Sequence, residues 1–100
     1  FLKIFESRLT QKGVYILDEP EASLSPLRQL SLISLLIELV KREQAQIIIA
    51  THSPIMMGIP GAALYEIREG KMQRVSYEDT EHYQITKAFL ENREAFLRHL

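Results

Sequence analysis

The chain has 100 residues, 46% of them hydrophobic and 25% charged, with twelve basic residues against thirteen acidic ones for a net charge of −1. A length of this order allows one small domain burying ~60–70% of its unfolded surface, and the balanced charge gives no electrostatic footprint for duplex DNA or an anionic membrane. The absence of cysteine excludes disulfides and thiolate metal sites, no apolar run approaches the ~18 residues of a membrane span, and a cytoplasmic location is the default expectation.

Phe1, Leu2, Phe5 and Leu9 recur at helical spacing opposite Lys3, Glu6 and Arg8, which predicts an amphipathic helix over residues 1–11 closed by Gly13. A chain that opens inside a helix, on phenylalanine rather than methionine, reads as a fragment of a longer protein. Val14-Tyr15-Ile16-Leu17 then runs unbroken into Asp18-Glu19 and is stopped by Pro20. An apolar run of that length between Gly13 and Pro20 predicts a strand buried on both faces. Its carboxyl end is where open α/β sheets bind ligands, and two adjacent acids there are costly unless a cation or a reaction uses them. Asp18 is therefore a candidate Mg²⁺ ligand and Glu19 a candidate base or water-positioning group.

The polar loop from Glu21 to Ser25 ends in a good N-cap, and Pro26 is a good first helical residue. The helix expected over residues 27–42 is polar only along the stripe Ser31, Ser34, Glu38, Lys41 and Arg42, so it should pack on more than one neighbour. Gln46 to Ala50 is a second expected buried strand. Strand, helix and strand form a βαβ unit, which implies parallel pairing and brings Asp18, Glu19 and His52 to one edge. Ser53-Pro54 should cap a single helical turn through Met57. Ala63 to Arg68 and Met72 to Ser76 form an expected hairpin around Glu69-Gly70. Residues 81–100 read as helical with a break near Asn92. His82 and His99 are expected on the surface, Met56 and Met57 in packing, and Arg68, Lys71 and Arg74 on a solvated hairpin face. Glu21 is expected to face solvent or pair with a base.

The four apolar residues before Asp18-Glu19-Pro20 resemble the Walker B strand of ABC-type ATPases. Ser23, Leu24 and Ser25, with Ala22, sit where that family has its D-loop, and Thr51-His52-Ser53 resembles its H-loop. The variants Asp18-Glu19-Pro20-Glu21 and Thr51-His52-Ser53-Pro54 look closer to the soluble, non-transporter members than to transporter subunits. The likeness spans roughly residues 1–67 and implies an α/β fold: the C-terminal part of a P-loop NTPase domain of the ABC type, with parallel strands flanked by helices, a terminal β-hairpin and C-terminal helices.

By that resemblance the chain serves ATP binding and hydrolysis. Asp18 would help hold Mg²⁺, Glu19 would polarise the attacking water, and His52 would hydrogen-bond the γ-phosphate. Ser23, Leu24 and Ser25 would lie against a partner protomer in a head-to-tail homodimer that opens and closes with the cycle. Nucleic acid enters only through the family and has no support from charge. Two departures stand out: Ser25 occupies a position where the family usually has aspartate, and neither a Gly-x-x-x-x-Gly-Lys-Ser/Thr run nor a signature motif occurs. The 100 residues then read as the back half of one ATPase domain, inactive alone and prone to self-association through uncovered strand edges and helix flanks. Two competing readings are a catalytically inactive interaction or scaffold module and a metal-dependent hydrolase built on Asp18, Glu19 and His52.

Overall fold

The computed structural model describes residues 13–100; the helix expected over residues 1–11 lies outside them. The chain divides into two compact units, Phe1–Ile59 and Pro60–Leu100. In the first, β1 (Val14–Asp18) is followed by α1 (Pro26–Glu43) and β2 (Gln46–Ala50), and a 3₁₀ turn (Met56–Gly58) closes the unit. The two strands pair in parallel, with Val14 beside Gln46, Ile16 beside Ile48 and Asp18 beside Ala50. Bonds from Gln46 N–H to the Gly13 carbonyl (2.9 Å) and from Glu19 N–H to the Ala50 carbonyl (2.7 Å) extend the ladder at both ends.

Helix α1 starts where its capping chemistry dictates: Ser25 Oγ accepts from Arg28 N–H at 3.3 Å and Pro26 is the first helical residue. It ends at Gln44, whose left-handed backbone (φ 55°) turns the chain into β2. Leu32, Leu36 and Leu39 recur at the helical period and are buried with Ala45 and Met56. Against this cluster pack Tyr15 and Leu17 from β1 and Ile47 and Ile49 from β2, alternate residues that share one face of the sheet.

That alternation corrects the expectation of a strand buried on both faces. Val14, Ile16 and Ile48 are 63%, 76% and 50% exposed, because among the described residues a helix covers the sheet on one side only. Helix α1 packs on both β2 and the 3₁₀ turn, as its narrow polar stripe implies; the stripe faces solvent, with Glu38 and Arg42 paired at 2.9 Å, although Leu27, Leu30 and Val40 are exposed as well. The buried stripe of α1, one face of the sheet, Ala45 and Met56 together make the core of this unit.

The second unit is a hairpin followed by helices. β3 (Leu64–Arg68) and β4 (Lys71–Val75) are antiparallel, with Arg68 beside Lys71 at the turn end. Glu69 and Gly70 both have positive φ (52° and 75°), the combination that two-residue hairpin turns need to match strand twist. A 3₁₀ turn (Tyr77–Asp79) leads into α2 (Glu81–Glu91), capped by Thr80 Oγ1 accepting from Tyr83 N–H at 3.2 Å. The break expected near Asn92 is present: Asn92 Oδ1 accepts from Ala95 N–H at 3.3 Å and starts the short α3 (Arg93–Leu97). Phe89 and Phe96 meet edge-on across it, ring centroids 6.0 Å apart.

Glu66 ties β3 to the start of α2. Its Oε2 accepts from Glu81 N–H at 2.7 Å and its Oε1 from the Arg68 guanidinium at 2.6–2.7 Å, while Arg68 Nη2 also donates to the Asp79 carbonyl at 2.9 Å. Arg68, Lys71 and Arg74 lie on an exposed hairpin face as expected, Arg68 engaged by these bonds and Arg74 5.8 Å from the centroid of the Tyr65 ring. His82 is half-buried with its Nδ1 shielded from solvent, a correction to its expected surface position, while His99 is exposed.

Replacing the fully buried Leu32 by alanine removes the centre of the first unit's core. The expected cost is about 2–5 kcal/mol, against under ~1 kcal/mol for alanine at the exposed Leu30, read from denaturant midpoints. The Glu66 carboxyl is held below its ordinary value of 4.5, first by the Glu81 N–H and then, against opposing burial, by Arg68. A lowered value means that this group's contribution to stability is present above pH 4.5 and is lost as the pH falls through the lowered value. Glu66→Gln should therefore flatten the acid limb of the second unit's melting temperature against pH; an unchanged limb would show that Glu66 does not set it.

Candidate functional site

The carboxyl ends of β1 and β2 form one rim because the strands are parallel and in register through Asp18 and Ala50. Asp18 is the last residue of β1, exposed, and its carboxylate makes no hydrogen bond or ion pair among the described residues. Glu19 follows in a left-handed conformation (φ 47°), held by its N–H on the Ala50 carbonyl. Its Oε1 lies 3.7 Å from His52 Nε2, the two side chains being 54% and 75% exposed. That separation is too long for a hydrogen bond and becomes an ion pair only with a protonated imidazole, worth little at such exposure. The pair shares a position at the rim without depending on mutual attraction.

His52 is set by its neighbours. Thr51 Oγ1 accepts from Ser53 N–H at 3.0 Å, closing a side-chain turn with His52 at its middle. Ser53, expected as the cap of the following turn, accepts from Ile55 N–H and Met56 N–H, both at 3.2 Å, and is buried. Met56 is buried in the core, in agreement with a packing role, whereas Met57 is half-buried.

The loop between β1 and α1 is compact. Ala22 N–H donates to the Glu19 carbonyl at 3.0 Å and Leu24 N–H to the Glu21 carbonyl at 2.9 Å, with Pro20 buried beneath. Ser23 takes the left-handed conformation (φ 68°), which costs a residue with a Cβ roughly 1–2 kcal/mol. Ser23 and Ser25 are exposed and Leu24 packs against the core. Glu21 is half-buried, its Oε1 is shielded from water with no hydrogen-bond partner, and among the described residues no base pairs with it. Gln29, one turn into α1, donates from Nε2 to the Leu24 carbonyl at 3.2 Å and accepts at Oε1 from the Ser53 hydroxyl at 2.5 Å. Sequence reasoning missed Gln29; its only signal was an amide placed one turn beyond a capped helix start, within reach of the preceding loop.

Among the described residues no three His, Asp or Glu side chains come close enough to hold a metal ion by themselves. A hydrolase with a metal centre made of Asp18, Glu19 and His52 is therefore not the arrangement that these residues form. One unpaired aspartate at an open rim does suit Mg²⁺, which takes one or two carboxylates and draws its other ligands from water and phosphate. No helix among the described residues is long and apolar enough to cross a membrane.

A family model described as AAA ATPase domain matches residues 1–57, more than half of the chain. The chain belongs to the AAA ATPase domain family. No curated protein and no solved structure matches it. The matched stretch includes β1, the loop to α1, β2 and His52, so every candidate residue of the rim falls within the AAA ATPase domain and the hairpin unit falls outside it. Membership in this family connects the chain with ATP binding and hydrolysis in general terms.

The strain at Ser23 makes a direct prediction. Ser23→Gly should preserve the loop and raise stability by a few tenths to about 1 kcal/mol, whereas Ser23→Val, β-branched at a positive φ, should lower it by about 1–2 kcal/mol. Urea denaturation of the two variants separates these signs.

Proposed function

We infer that the rim of Asp18, Glu19 and His52 is the hydrolytic half of an ATPase site of the ABC type, completed by a phosphate-binding loop on a preceding segment and by a second protomer. The observation that carries this reading is the meeting of Glu19 and His52 at 3.7 Å from two different strand ends inside the matched AAA ATPase domain.

Asp18, unpaired at the strand end, is the residue available to hold Mg²⁺, directly or through water. Bound there, Mg²⁺ would neutralise charge on the β- and γ-phosphates of the substrate. Glu19 is half-exposed at the head of the loop, within reach of solvent, and accepts a hydrogen bond from the attacking water. A carboxylate positioned in this way contributes ~10²–10⁴-fold to hydrolysis. His52 donates from its ring to the γ-phosphate and distinguishes its presence from its absence. Ser23, Leu24 and Ser25 face the partner protomer in a head-to-tail homodimer, so that the cycle of binding and hydrolysis opens and closes the pair. Ser25 stands where the family usually has an aspartate, so that contact is made by a neutral hydroxyl. Without the phosphate-binding segment the 100 residues do not turn over ATP.

In protein that carries the phosphate-binding segment, Glu19→Gln should lower kcat by about 10²–10⁴-fold while MgATP still binds, trapping the paired state. Asp18→Asn should instead weaken Mg²⁺-dependent nucleotide binding. Turnover of Glu19→Gln at the wild-type rate would show that Glu19 does not activate the water.

A further inference from the structure

We propose that Gln29 is a positioning residue that locks the loop after β1 to the loop after β2, so that Glu19 and His52 move as one unit. This rests on the ATPase reading of the rim. Both polar atoms of the Gln29 amide are committed, and to different loops. Nε2 donates to the carbonyl of Leu24 at 3.2 Å, and Oε1 accepts from the Ser53 hydroxyl at 2.5 Å. The orientation of the amide follows from chemistry alone, since a carbonyl oxygen can only accept and must face the NH₂ group.

The chain of bonds continues on both sides. Ser53 Oγ accepts from Ile55 N–H and Met56 N–H, and Ser53 N–H reaches Thr51 Oγ1 across His52. On the other side Leu24 N–H holds the Glu21 carbonyl and Ala22 N–H holds the carbonyl of Glu19. Hydrogen bonds joined through the backbone of Leu24 and through Ser53 therefore connect the carbonyl of Glu19, by way of the Gln29 amide, to the turn that contains His52. Ser53 is buried and Gln29 half-buried, so water competes weakly for these bonds and each polarises the next. The base of the path is the first turn of α1, where Gln29 N–H is itself bonded to the Ser25 carbonyl at 2.9 Å. By contrast, the Glu19–His52 contact is long and exposed and cannot fix the two groups relative to each other.

Two measurements on the full-length protein test this. In the absence of nucleotide, Ser53→Ala should speed amide hydrogen exchange at Ala22 and Leu24 several-fold, and the effect should vanish when Gln29→Leu is already present. In turnover assays, Gln29→Leu should lower kcat about tenfold or more with KM for MgATP changed less than about twofold, as expected when reacting groups are displaced rather than binding lost. Gln29→Glu, which keeps the acceptor for Ser53 but loses the donor to Leu24, provides a second variant of the same size and should also lower kcat. Unchanged exchange at Ala22 and Leu24 in Ser53→Ala overturns the connection, and wild-type kcat in both Gln29 variants overturns its role in positioning. If the wild-type protein has no turnover, the ATPase reading is what fails, and the exchange measurement decides the connection without it.

Discussion

The parallel pairing of β1 and β2 is the constraint on which the first unit depends. Pairing Asp18 with Ala50 fixes, in one step, which residues face the core and which residues leave the sheet together. The same register places Tyr15, Leu17, Ile47 and Ile49 against Leu32, Leu36 and Leu39, so the burial that holds the unit also aligns its rim. A slip of one residue in β2 would turn Ile48 toward α1 and move His52 by one position relative to Glu19. Packing and chemistry are therefore set by a single choice of alignment.

Two backbone features then convert a strand end into a site. The left-handed Glu19 and Ser23 bend the chain sharply between β1 and α1, and neither residue is glycine. Strain of this kind persists only where surrounding bonds over-determine it. The Ala50 carbonyl, the paired amides of Ala22 and Leu24, and the buried Pro20 supply that surrounding.

Much of this was legible in the sequence, and for identifiable reasons. Gly13 and Pro20 bracket β1, Ser25-Pro26 announces α1, and Glu69-Gly70 announces the hairpin, since each pair has backbone requirements that few other residues meet. Convergence of Glu19 and His52 followed from the strand–helix–strand order. Exposure of Val14 and Ile16 was not legible, because in a run where every residue is apolar the alternation between faces leaves no mark. The 3₁₀ turn at Tyr77–Asp79 is three residues long and has no period to detect. The half-burial of His82 and the two bonds of Gln29 depend on which elements happen to lie nearby, which no single stretch of sequence encodes. The orphaned oxygen of Glu21 belongs to the same class.

The rim side chains contribute almost nothing to the buried cluster beneath them: Asp18, Glu19 and His52 are all exposed, while the core is closed by leucines, an alanine and a methionine. On the proposed reading of the rim, activity and architecture are uncoupled in inheritance. A lineage could exchange all three for inert residues and retain the shape, so duplicated descendants of such a domain have an easy route from catalyst to silent partner.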